Sequence, residues 1–117
     1  MTTIPITPGG SPGNGRGILI AATATAGTVI HTAIAGTTNF DEIWAWAQNN
    51  HTAAVDLTIE WGGVTSPNDL IKMSIPSKSG LYLIAPGLRL NNGLIARAFA
   101  SVTNVITIFS NVNRWSP

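Results

Sequence analysis

Few side chains in this sequence are able to do acid–base or metal chemistry: His31 and His51, with the carboxylates of Asp41, Glu42, Asp56, Glu60 and Asp69. There is no cysteine, which excludes a thiolate nucleophile, a Cys-type zinc site and a disulfide framework. His31 lies in the alternating run Val29-Ile30-His31-Thr32-Ala33, a strand position facing outward or bonded to its neighbours. His51 follows the turn signal Asn49-Asn50 and reads as a solvated loop residue. Neither has further donors at a metal-binding spacing. Asp41 and Glu42 are adjacent, so on a strand they point to opposite faces and make a poor acid–base pair. Asp56 and Glu60 share a face but stand roughly 13 Å apart along one strand. Both are expected on its outer face and neither is expected to be catalytic. The run Gly13-Asn14-Gly15-Arg16-Gly17 lacks the Gly-Lys-Ser/Thr ending and the preceding strand of a phosphate loop. A Gly-x-Ser-x-Gly elbow is missing too. These residues point away from an enzyme, and to no cofactor and no metal.

The elements that must position these side chains read as strands. In Val55-Asp56-Leu57-Thr58-Ile59-Glu60-Trp61 the apolar side chains share one face and the polar ones the other, until Gly62-Gly63 stops the run. Trp61 ends the apolar face and is expected to pack in the core. Asp41 to Ala47 alternates as well, with Ile43, Ala45 and Ala47 on one side and Trp44 and Trp46 on the other. Strands are expected from Ile18 to Thr25 and Thr28 to Ala35, joined as a hairpin at Ala26-Gly27. Others are expected from Leu70 to Ile75, from Leu81 to Ala85 ending at Pro86-Gly87, on both sides of the tight turn Asn91-Asn92-Gly93, and from Val105 to Val112. About eight short strands with turn chemistry between them predict an all-β, single-domain β-sandwich or jelly roll over residues 18–117.

Ahead of it stands Thr7-Pro8-Gly9-Gly10-Ser11-Pro12-Gly13-Asn14-Gly15-Arg16-Gly17, with five glycines and two prolines. Gly loses too much backbone entropy, and Pro too many donors, for helix or inner strand. Residues 1–17 are therefore expected to be an extended arm. Fully extended, such an arm spans up to roughly 55 Å, enough to reach a neighbouring subunit.

Composition supports a covered surface. Of the 117 residues, 44% are hydrophobic and only 9% charged, against about 25% charged in ordinary soluble domains. Net charge is +1 without a basic cluster, which argues against direct nucleic-acid binding through phosphates. No apolar run reaches the ~18 residues of a membrane span. The first charge is Arg16, so a signal peptide is not expected. Residues 1–60 carry Arg16 against Asp41, Glu42, Asp56 and Glu60, net −3. Residues 61–117 carry Lys72, Lys78, Arg89, Arg97 and Arg114 against Asp69, net +4. The halves meet either within one fold or between subunits. Trp44 and Trp46 are read as core if the faces are reversed, or else as a subunit contact or a sugar-stacking platform. Trp115, in the tail, needs a neighbouring surface to shelter it. The candidate interface residues are Pro8, Pro12, Arg16, Trp44, Trp46, Arg97, Arg114 and Trp115.

The blocks Phe40-Asp41-Glu42-Ile43-Trp44-Ala45-Trp46-Ala47-Gln48-Asn49, Leu57-Thr58-Ile59-Glu60-Trp61-Gly62-Gly63, Leu90-Asn91-Asn92-Gly93 and Asn111-Val112-Asn113-Arg114 together resemble small virion structural proteins of tailed bacteriophages, in particular the all-β capsid decoration, or cement, proteins. The resemblance implies a non-enzymatic subunit on the capsid exterior, often a homotrimer, partnered by the major capsid protein and by copies of itself and bracing the shell through an extended terminal arm. It brings no site motif. Head-to-tail or tail structural subunits are related readings. The alternative of a different class is a carbohydrate-binding host-adhesion module that takes a glycan on Trp44 and Trp46.

Overall fold

Strict alternation along the chain builds the sandwich. In β4 (Phe40–Asn49) every second residue from Asp41 to Asn49 is buried and its neighbours are half-buried. Ile43, Ala45 and Ala47 thus face the interior, and Trp44 and Trp46 face away. β5 (Val55–Trp61) sends Val55, Leu57 and Ile59 inward, and β8 (Ile95–Ala100) sends Ala96, Ala98 and Ala100 inward. The computed structural model covers Met1 to Pro117 and has nine strands and no helix. The others are β1 (Thr2–Ile6), β2 (Ile18–Leu19), β3 (Thr28–Thr32), β6 (Leu70–Ile75), β7 (Tyr82–Leu90) and β9 (Ile106–Ser116).

The strands form two antiparallel sheets. In sheet A the order is β1-β9-β4-β7, with β2 also on β9. In sheet B it is β3-β8-β5-β6. The pairs β5·β6, β4·β7, β3·β8 and β2·β9 nest inside one another and alternate between the sheets. The chain is thus one long hairpin folded over so that successive pairs fall in opposite layers. Twenty buried apolar residues, all of them Ile, Val, Leu or Ala, fill the space between. Each fully buried Ile or Leu contributes about 1.5–3 kcal/mol.

This nesting changes several expected neighbours. Ile18 to Thr25 and Thr28 to Ala35 do not form a hairpin. β2 ends at Leu19 and pairs with β9, whereas β3 pairs with β8 in the other sheet. The turn Asn91-Asn92-Gly93 has the positive φ angles its residues favour (60° at Asn92, 69° at Gly93). Yet it carries the chain from sheet A to sheet B and joins no hairpin. Turn chemistry bends the backbone without choosing its partner. Pro86-Gly87 does not end a strand either. β7 runs through both to Leu90, with register shifts against β4 at Ile43/Trp44 and Ala45/Trp46. Pro is tolerated because β7 is an edge strand, where a missing N–H costs no ladder bond.

The largest departure concerns the first seventeen residues. Instead of projecting as an arm, they form a strap on their own domain. β1 pairs with the end of β9 from Thr2↔Ser116 to Ile6↔Val112, and the Thr2 and Ser116 hydroxyls lie 2.8 Å apart. β2 occupies β9 only at Thr107 and Ile108, which leaves the end of β9 an open edge, and β1 covers it. Pro5 is suited to such an edge. Farther on, Pro8 and Gly10 are buried, and the Gly10 N–H donates to the Ile30 carbonyl at 2.8 Å. A Cβ at Gly10 would come within 2.5 Å of the Val29 carbonyl oxygen, so only Gly lets the strap lie this close to β3.

Candidate interaction surface on sheet A

The outward positions of β4 are Phe40, Glu42, Trp44, Trp46 and Gln48, and those of β9 are Thr107, Phe109, Asn111, Asn113 and Trp115. Phe40 pairs with Trp115 and Trp46 with Phe109 across the two strands. On the far side, Trp46 pairs with Leu83 and Trp44 with Pro86 of β7. Five aromatic rings therefore share one face. Leu83, Leu19 and Phe109 on this face are exposed, as are Leu81, just before β7, and Tyr82 at its start. Glu42 and Arg89 are the only charged side chains at its strand positions, and both lie near the Phe40 end.

Two rings are held down by glycine. A Cβ at Gly87 would lie 2.9 Å from Cζ2 of Trp44, and one at Gly17 would lie 2.8 Å from the Phe109 ring. Each ring thus covers backbone at a residue that has no side chain, which explains why Trp44 is half-buried on an outward face. Gly87 also has φ 77°, the left-handed region that Gly adopts without strain. At the other end, Phe40 stacks on Trp115 with centroids 6.2 Å apart and planes 18° from parallel. The Arg89 guanidinium sits 4.5 Å from the Phe40 centroid, so the cation caps the aromatic pair. Trp115 is sheltered by its own chain.

The candidate residues divide accordingly. Trp44, Trp46 and Trp115 come together on sheet A. Pro12 and Arg16 are exposed on the strap, and Arg97 lies on the outer face of sheet B, opposite Glu60. Pro8 and Arg114 are corrections, because the fold uses both internally. Pro8 is buried under the strap, and Arg114 turns between the sheets to Asp41, with Nε donating to Oδ1 at 2.8 Å and an Nη to Oδ2 at 3.0 Å. Phe40, Phe109, Leu19 and Leu83 also belong to the surface, beyond the residues expected from the sequence. The period-2 parity of β9 marks Phe109 and Trp115 as sharing a face, but pairing between strands is needed to set them beside β4.

The ionisable side chains are engaged elsewhere. Asp41 is fully buried and also accepts from His31 Nε2 at 2.7 Å and from the Ile34 N–H at 3.1 Å. Burial alone pushes its carboxyl up. Hydrogen bonds from Arg114 and then His31, with their charges, outweigh burial and hold it below its ordinary value. The same bond to Asp41 raises Arg114. His31 is 3% exposed, and its Nδ1 accepts from the Gly9 N–H at 3.0 Å, so neither ring nitrogen is free for a substrate. Glu60, expected on the solvent face, is instead fully buried. It does point outward from sheet B, where the segment after β2 folds across it. There it accepts from Thr25 Oγ1 and from the Gly27 N–H, both at 2.6 Å. Asp56, on the same face, is exposed as expected. A shallow groove of about 520 Å³ runs beside it, lined by Thr58, Lys72, Leu70 and Phe99 among others.

No protein-family model, curated protein or solved structure matches this chain.

Proposed function

We propose that this protein is a non-enzymatic structural component of a bacteriophage virion, a capsid decoration protein that docks on the assembled major capsid lattice and stabilises the shell from outside. The observation that carries the reading is the outward face of sheet A, where five aromatic side chains and Leu83 meet only two charged side chains. A partly exposed apolar face of this kind, with Phe109, Leu19 and Leu83 open to water and the other rings half-buried, has a cost unless a partner covers it. A protein with 9% charged residues has little other means of keeping such a face apart from a neighbour. The resemblance of its sequence blocks to phage decoration proteins supplies the partner, the major capsid protein, with further copies of the chain beside it as a homotrimer. The nested strand pairs support a jelly-roll reading of the sandwich, an architecture that viral capsid and lectin domains use. Because fold alone does not imply function, that support is by analogy. The strap lies on its own chain, so attachment in this reading rests on the sheet and not on a reaching arm.

Binding only the assembled shell stabilises it by about 3 kcal/mol per site at a hundred-fold excess over the dissociation constant. Particles carrying the protein are therefore expected to release their genome at a higher temperature than particles without it, and Trp46→Ala with Leu83→Ala is expected to abolish both binding and protection. Equal release temperatures with and without the protein would overturn the proposal.

A second reading is favoured by one observation. Trp44 and Trp46 face outward two residues apart, about 7 Å along the strand, a spacing suited to stacking against sugar rings. Glycan binding by the isolated protein, lost on Trp46→Ala, together with no affinity for capsids, would select this reading.

A further inference from the structure

We propose that His31 is an acid-released latch that fastens the N-terminal strap, residues 1–17, to the sandwich. The imidazole bridges two different structures through its two nitrogens. Nδ1 accepts from the Gly9 N–H of the strap at 3.0 Å. A backbone N–H cannot accept, so the ring is the tautomer with its proton on Nε2, and that proton points to Asp41 Oδ2 at 2.7 Å. The strap is thus fastened by a lone pair that exists only while the ring is neutral.

A second proton on the ring would occupy Nδ1. Two N–H donors would then face each other at the strap contact, and the Gly9 bond would be lost. The charge balance changes as well. With neutral His31, the cluster holds the Asp41 carboxylate and the Arg114 guanidinium, which cancel. A protonated ring leaves one unbalanced positive charge at a position that is 3% exposed. No other charge faces the ring. The strap offers only backbone there, since Arg16 is exposed. On β4, Glu42 lies on the opposite face from Asp41. On β8, His31 pairs with Ala96, whose neighbour Arg97 points outward from sheet B. Arg114 of β9 is the remaining charge, and it opposes protonation.

The strap is the part that gives way. Its contacts to the rest of the fold are the Gly9 and Gly10 bonds, the buried Pro8, the β1–β9 ladder with the Thr2–Ser116 hydroxyl pair, Ile6 at the edge of the core, and Gly17 beneath the Phe109 ring. In β1 only Ile6 is even half-buried, and Ile4 is 59% exposed. By contrast, Asp41 is tied by four hydrogen bonds across both sheets. A protonated ring keeps its bond to Asp41 and lets go of Gly9. Acid therefore frees the Pro8–Gly10 segment from β3 and leaves β1 on a Gly- and Pro-rich tether, while the sandwich stays folded.

The test follows the wild-type protein by NMR from about pH 8 to about pH 5, the range in which histidine acts as a switch. The side-chain ¹⁵N shifts of His31 report ring protonation, and amide exchange of Gly9 and Gly10 reports the strap. Protection factors, corrected for the intrinsic pH dependence of exchange, are expected to fall about ten-fold at Gly9, the factor carried by one lost hydrogen bond. The fall should follow the ring titration, with protection at Ile43 and Ile59 kept. In His31→Gln, whose amide is able to accept from Gly9 and donate to Asp41 without titrating, Gly9 protection is expected to stay flat. Unchanged Gly9 protection across the range overturns the proposal. So does loss of protection while the ring is still neutral, loss shared equally by Ile43 and Ile59, or an equal loss in a folded His31→Gln. If that variant does not fold, the coincidence of ring titration and Gly9 exposure in the wild type decides alone.

Discussion

His31 Nε2 and Asp41 Oδ2 lie 2.7 Å apart between the two sheets, one residue on β3 and the other on β4. Through Arg114 the same carboxylate reaches β9, and through the far side of the imidazole it reaches the strap. The strap, the consecutive strands β3 and β4, and the distant β9 are thus linked through one buried aspartate. In the isolated chain its desolvation is worthwhile only when all of its partners are in place.

Asp41→Asn is expected to destabilise the fold by on the order of 3 kcal/mol, measured by urea unfolding at neutral pH. The amide loses the ion pair and turns a donor toward groups that are themselves donors. Arg114 is one-third exposed at its side chain and is able to recover some hydration, which keeps the loss from being larger. The sign of the pH dependence follows from the depressed carboxyl. Its contribution is complete above the unfolded aspartate value, about 3.9, and is lost as pH falls through the lower folded value. Acidification below about pH 4 should therefore cost the wild type more stability than Asp41→Asn.

Glu60→Gln and Asp56→Asn separate two positions that sequence parity places on one face. Glu60→Gln is expected to cost about 1–3 kcal/mol, because the amide keeps one acceptor oxygen and sets an NH₂ against the Thr25 hydroxyl or the Gly27 N–H. Asp56 is exposed, and its substitution is expected to stay within about 0.5 kcal/mol. Chemical denaturation of the two single variants measures both.

Gly87→Ala is expected to destabilise by about 1–2 kcal/mol from its left-handed φ alone, with more from the clash with the Trp44 indole. Its tryptophan fluorescence should shift to the red as the ring lifts into water. An unshifted spectrum with wild-type stability would show that Trp44 does not rest on Gly87.

Deleting residues 1–6 removes β1 while leaving Pro8, Gly9 and Gly10. Because β1 buries almost no side chain, the β-sheet circular dichroism should persist, with a modest loss in Tm. Exchange should rise selectively in the amides from Val112 to Ser116 that β1 covers. Deleting residues 1–16 also removes the Gly9 contact and is expected to cost more.

Local features are legible in the sequence by itself. The alternation of Val55 to Trp61 and of Asp41 to Ala47 shows which side chains share a face. The period-two runs, the turn residues between them and the missing helical period point to an all-β domain. That Trp44 and Trp46 oppose Ile43, Ala45 and Ala47 follows from period two, since side chains on a strand must alternate. Which of those faces is the core depends on what packs against it. Only the pairing of β4 with β9 and β7, and the cover from sheet B, put the tryptophans outside. The same reason governs the departures. Thr2 to Ile6 becomes a strand because the end of β9, more than a hundred residues away, offers an open edge. Glu60 is buried because the segment at Thr25 to Gly27 folds over its polar face. His31, Asp41, Arg114 and Gly9 carry no local sign of one another. Backbone geometry is dictated by neighbours in the chain, whereas burial, partners and charge balance are set by segments distant in it, and these become neighbours only when the long hairpin folds over.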